Sequence, residues 1–105
     1  MLVNKQKEGK NLMKIKKLTQ IPYGQCHVEI VDKNNVVLFS HYTLVAKIEN
    51  GWFSILNGLY SMTTKKHIGA FAKEYANIPY KVVKQLHEDK MMLNINTGEV
   101  VEKRG

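Results

Sequence analysis

"TLVAKIENGWFSILNGLYSMTTKKHIGAF", residues 43–71, changes its hydrophobic period halfway along. "TLVAKIE" runs as a strand into Asn50-Gly51, a dipeptide suited to a two-residue hairpin because a type I′ turn needs positive φ at both positions. "WFSIL" returns, and Asn57-Gly58 breaks it. Further on the period is helical. Ile68, Phe71, Ala72 and Tyr75 fall at i, i+3, i+4 and i+7, one core-facing stripe, with Lys65, Lys66, Lys73 and Glu74 largely opposite. The spacing predicts a helix over 63–76.

Working outward, "CHVEIV" (26–31) alternates, with Cys26, Val28 and Ile30 on one face and His27, Glu29 and Val31 on the other. "DKNN" (32–35) is a turn, and "VVLFSHY" (36–42) has apolar residues on both faces, as a central strand does. "NIP" (77–79) ends the first helix. Pro79 suits the first turn of a second helix over 79–89, with Val82, Val83 and Leu86 as its apolar stripe. "MMLNI", "NTG" and "EVV" close the chain as a hairpin. The order is β-β-β-β-α-α-β-β. That is an α+β domain with a curled antiparallel sheet and two helices on one face or end.

The chain has 105 residues, enough for one core. "IPYG" (21–24) reads as the turn into a domain over 21–105, and residues 1–20 as a basic flexible arm. Met13 opens a second start-like segment, "MKIKKLTQ", so the origin of residues 1–12 stays open. The apolar runs are far shorter than the roughly 20 residues that span a bilayer, and the N-terminus lacks the apolar stretch of a secretory signal. Together with the lone cysteine, Cys26, this points to the cytoplasm and to no membrane contact.

The net charge is +7. Residues 1–17 hold Lys5, Lys7, Lys10, Lys14, Lys16 and Lys17 against Glu8 alone. A basic balance of this kind favours polyanionic partners, although solubility also accounts for it. The start of the first helix sharpens the question. Ser61, Thr63 and Thr64 are each suitable N-caps, which explains one hydroxyl well and three less well. Lys65, Lys66 and His67 are cations in a first turn whose dipole favours acids, each opposing it by up to about 1 kcal/mol. A phosphate docked there would turn N–H groups, hydroxyls and lysines into one anion site. Lys73, Lys81 and Lys84 would extend it.

Tyr42, Thr43, Val45 and Ala46, followed across the hairpin by Tyr60, Ser61, Thr63, Thr64, Lys66 and His67, resemble a signature of small uncharacterised phage- and plasmid-borne proteins. Its pattern is Y-x-T-x-[VI]-A, then Y-S-x-T-T-x-[KR]-H, with Thr43 displaced by one position from the usual threonine. The resemblance spans about residues 36–76. It implies an accessory protein of a mobile genetic element in a bacterial host. Small proteins of that setting often bind nucleic acid or block host defence nucleases.

Other constellations are weaker. Cys26 and His27 are strand neighbours and point apart, leaving a cross-sheet pairing of Cys26 with His41 or His67, or a buried inert thiol. No metal-ligand spacing, acidic pair or phosphate-binding glycine loop is present, so neither metal, cofactor nor catalytic set is expected. Gly69 inside the first helix costs about 1 kcal/mol against alanine, which implies close approach of a strand or a ligand. Tyr42, Trp52, Phe53 and Tyr60 are candidates for base stacking, or for anchoring in a protein groove. The sequence therefore predicts a non-enzymatic protein, monomer or homodimer, that binds nucleic acid or a host nucleoprotein through the basic helix start. The alternative is an inhibitor of a host defence nuclease, of the anti-CRISPR kind.

Overall fold

In the computed structural model, residues 13–22, 24–56, 58 and 60–103 are described. They form one open antiparallel sheet whose strand order follows the chain: β1 (Lys14–Lys16), β2 (Cys26–Asp32), β3 (Asn35–Ser40), β4 (Thr43–Glu49), β5 (Trp52–Ile55), β6 (Met91–Asn94) and β7 (Val100–Glu102). Between β5 and β6 the chain leaves the sheet for two helices, α1 (Met62–Phe71) and α2 (Tyr80–Asp89). It then returns to pair beside the strand it left, Phe53 opposite Leu93. The α+β architecture is the one the sequence implies.

One core holds the two layers together. Val28, Leu38, Ala46 and Phe53 from the strands are completely buried, as are Phe71 and Ala72 from the helical layer. The Phe53 and Phe71 rings meet at 6.2 Å between centroids, the principal aromatic contact across the layers. The Asn50-Gly51 hairpin forms as expected, with φ of 53° and 86° and Glu49 opposite Trp52.

Three expectations need correction. Lys14–Lys16 is an edge strand rather than part of an arm, with Lys14 opposite Ile30, and Leu18 is fully buried. A three-residue, lysine-bearing edge is poor at recruiting further strands and carries almost no alternation to read. Residues 1–12 of the expected arm, and Asn57 of the Asn57-Gly58 break, lie outside the described residues.

The third strand stops at Ser40 instead of Tyr42. His41 and Tyr42 form a two-residue turn at φ of 52° and 69°, with Ser40 paired to Thr43. That left-handed conformation belongs to Asn and Gly, so the residue types gave no turn signal. Here it is fixed from outside the turn, because His41 N–H donates to the Gln25 carbonyl at 2.8 Å.

The first helix is α-helical only to Phe71; Ala72–Ala76 is a π-helical turn. Asn77 then turns left-handed, and Ile78 N–H reaches back to the Ala72 carbonyl at 3.1 Å, which drops Ile78 into the core. Pro79 caps α2 from just outside it.

Candidate functional site

Ser61 is the N-cap of α1: Thr64 N–H donates to Ser61 Oγ at 3.2 Å. The hydroxyls do not stop there. Ser61 Oγ–H donates to Thr64 Oγ1 at 3.3 Å, Thr64 Oγ1 lies 3.1 Å from Ser40 Oγ, and Ser40 Oγ lies 2.8 Å from His67 Nδ1. Each hydroxyl has one proton and two lone pairs, so the chain is satisfied with either tautomer of His67. Ser40, Thr64 and His67 are all buried, so this chain satisfies polar groups inside the protein. The His67 pKa is pushed below the ordinary histidine value by burial first, then by His41 and Lys17.

This divides the residues expected to meet a phosphate. Thr64 and His67 face inward and are spoken for, which corrects their assignment as direct contacts. Ser61 is exposed but its hydroxyl serves as the cap. Thr63, Lys65 and Lys66 are exposed on the outer side of the helix start, and Lys73, Lys81 and Lys84 are exposed further along the helical layer. The first turn of α1 holds no acidic residue. Glu74, beside Lys73 in sequence, is tied down, whereas Glu88 lines a cleft with Lys65 and Lys84. The two Glu74 oxygens accept from the Thr19 N–H at 2.8 Å and the Thr19 hydroxyl at 2.9 Å.

Two recesses border this face. A cleft of about 110 Å³ lies between α1 and α2, floored by Ile55, Ile68 and Val83 and edged by Tyr60, Tyr80, Lys65, Lys84, His87 and Glu88. A broader groove of about 560 Å³ runs past Ile21, Met62, Lys66 and Ala70. Lys65 and Tyr80 line both. Gly69 explains itself here: a Cβ on it would stand 3.2 Å from Tyr80 Cδ1. The close neighbour is thus a ring of the second helix rather than a strand.

The aromatic candidates also separate. Tyr42 is 87% exposed at the tip of its left-handed turn. Trp52 is partly exposed. Phe53 is completely buried in the core, so it is no anchor or stacking platform. Tyr60 packs its ring beside His87, at 5.9 Å between centroids, and its hydroxyl donates to the Leu56 carbonyl at 2.6 Å.

The Ser40–His67 pair, missed in the sequence because 27 positions separate its members, has the spacing of a nucleophile and its base. Both members are about 2% exposed, and the hydroxyl is held between two partners. The arrangement serves packing. Cys26, buried nearby, has its thiol pKa raised by that burial, so it remains a thiol. Among the described residues no group of three or more His, Cys, Asp or Glu is placed to hold a metal, and no helix is long and apolar enough to cross a membrane.

No curated protein and no solved structure matches the chain. A family model matches residues 4–86, and the chain belongs to that family, described as a family of unknown function (DUF8033).

Proposed function

We propose that this member of the family is a non-enzymatic accessory protein of a mobile genetic element that binds nucleic acid in the bacterial cytoplasm. The outer face of the α1 start supplies the phosphate contacts. One observation carries the proposal: Lys65 and Lys66 are turned to solvent in a helix start without an acid, and Lys84 faces Lys65 across the cleft. Cations there oppose the helix dipole unless an anion joins them. Thr63 and Lys73 are exposed on the same helix, whereas Lys81 borders a separate recess with Gln85, Asp89 and Met91 and stands apart from this face.

The test is the salt dependence of binding to labelled oligonucleotides. Affinity falls with a log–log slope of about −0.9 per duplex phosphate neutralised, and removing one phosphate-contacting lysine lowers that slope by about one. Lys65→Ala, Lys66→Ala and Lys84→Ala should each do so. A slope unchanged in all three variants refutes the assignment of these residues.

A second proposal, inhibition of a host defence nuclease through a protein contact, draws on a different feature. Tyr42, at the tip of the β3–β4 turn, and Met62, the first residue of α1, are 87% and 74% exposed, unusual for an aromatic and a thioether side chain. Binding of that kind would lose little affinity to salt and would fail in Tyr42→Ala.

A further inference from the structure

A third recess lies between α2 and the β6–β7 hairpin, apart from the proposed phosphate face. It is an apolar groove of about 500 Å³, lined by Val82 and Leu86 of α2 and by Met91, Leu93 and Val100 of the hairpin. Val82, Met91 and Leu93 are only partly buried against the core, and Val100 is 44% exposed. The sheet also ends here. β1 and β7 are its two edges among the described residues, and they differ. Lys14 and Lys16 guard the β1 edge, whereas β7 carries Val100 and Val101, with Glu102 as its one charge. Charged side chains protect a sheet edge from pairing, and valines do not.

The polar members of the groove say what fits it. Lys81, Gln85 and Asp89 follow at i, i+4 and i+8, a single row along α2, and all three are exposed. The row is positive at one end and negative at the other, about 12 Å apart along the helix axis. Each charge also stands at the wrong end of its own helix. Lys81 lies in a first turn that holds no acid, and Asp89 is the last residue, where the dipole favours cations. The Asp89 carboxylate accepts from Gln85 Nε2 at 2.6 Å, a neutral donor.

A segment of uniform charge would meet a like charge at one end of this row. A second copy of the same surface meets none. Turned about a two-fold axis that crosses α2 at Gln85, it brings its Asp89 to Lys81 and its Lys81 to Asp89. We propose that this face joins two copies of the chain, groove to groove, with the two α2 helices antiparallel. The apolar floors cover each other, and each Lys81 meets the Asp89 of the second copy. Lys65 and Lys66 lie outside this groove, so the pairing is independent of nucleic-acid binding.

Sedimentation velocity of the full chain over a concentration series tests this. The parent should form a concentration-dependent dimer. Lys81→Asp and Asp89→Lys should each weaken it about tenfold or more, because each sets like charges opposite one another at both contacts. Lys81→Asp/Asp89→Lys should restore the dimer, since the row is then reversed and still self-complementary. Each change suits the dipole of α2 better than the native residue does, so loss of the dimer cannot be put down to loss of the helix. Val100→Lys, at an exposed position of the edge, should also weaken the dimer. A parent that stays monomeric overturns the proposal, in favour of another protein's segment in the groove. A dimer indifferent to every variant overturns the assignment of this face. Losses in the single variants that the combined variant does not restore overturn the two-fold pairing of Lys81 with Asp89.

Discussion

Ser40 Oγ lies 2.8 Å from His67 Nδ1, a single contact that joins the last residue of β3 to the second turn of α1. Together with the Thr64 contact to the same hydroxyl it seats the helix start on the sheet, with Lys65 and Lys66 exposed between the two inward residues. The inward side of "TTKKH" is structural, and the outward side is the exposed face to which the phosphate contacts are proposed to belong.

Ser40→Ala should lower stability by about 1–3 kcal/mol, because it strands His67 Nδ1 in the interior and leaves the Thr64 hydroxyl only its Ser61 partner, without creating a large cavity. Urea unfolding of the full chain measures it. A change below a few tenths of a kcal/mol would mean that the hydroxyl chain adds nothing to the seat of α1.

His67 also gives the fold a pH dependence of known sign. Its folded pKa lies below the ordinary histidine value through burial first, then His41 and Lys17. Between the folded value and about 6.5 the unfolded chain binds the extra proton, so stability falls as pH drops through that window. For one group the slope is at most about 1.4 kcal/mol per pH unit. His67→Gln keeps a polar side chain and loses the titration. Its stability should change less between about pH 7.5 and about pH 5 than that of the parent, as read by urea midpoints. Parallel profiles would contradict the assignment.

The His41–Tyr42 turn holds two non-glycine residues in the left-handed region. His41→Asn/Tyr42→Gly supplies the residue types a type I′ turn favours and should raise stability by about 1–3 kcal/mol. If Tyr42 is a contact residue, the same change weakens binding while the fold becomes more stable. Thermal unfolding alongside a binding titration shows whether the two move in opposite directions.

Gly69→Ala sets helix propensity against a tight contact. Alanine gains about 1 kcal/mol in a helix interior, and the opposing Tyr80 ring is half-exposed and free to yield. Stability should rise by up to that amount, and the Tyr80 ring should shift out of the cleft wall. Denaturant unfolding reads the first effect and Tyr80 ring resonances read the second. A loss of stability would show that Tyr80 cannot move.

How much of this was legible in the sequence depended on whether the signal was local. Asn50-Gly51 and the Ile68–Phe71–Ala72 stripe each carry their structure in adjacent residues, and both appear as expected. Lys14–Lys16 carries none, because a short charged edge strand takes its conformation from β2. Likewise His41–Tyr42 becomes a turn through a bond to Gln25, and His67 turns inward through a bond to Ser40. Both partners are brought up by the sheet and cannot be read from neighbouring residues. The basic run was visible at once, yet the structure puts only Lys65 at the end of the first turn and Lys66 and His67 in the second, and which of them face solvent was not legible. That depends on the register of α1 against β3.

Fluorescence anisotropy tests the central claim most directly. Labelled single- and double-stranded DNA and RNA would be titrated with the full chain and with Lys65→Glu/Lys66→Glu, at low and at near-physiological salt. We expect the parent to bind at least one of these, with affinity falling steeply as salt rises, and the double variant to lose that binding while unfolding at the same urea midpoint. Failure of the parent to bind at low salt, or equal binding by the double variant, would contradict the claim that the outer face of the first helix grips phosphate.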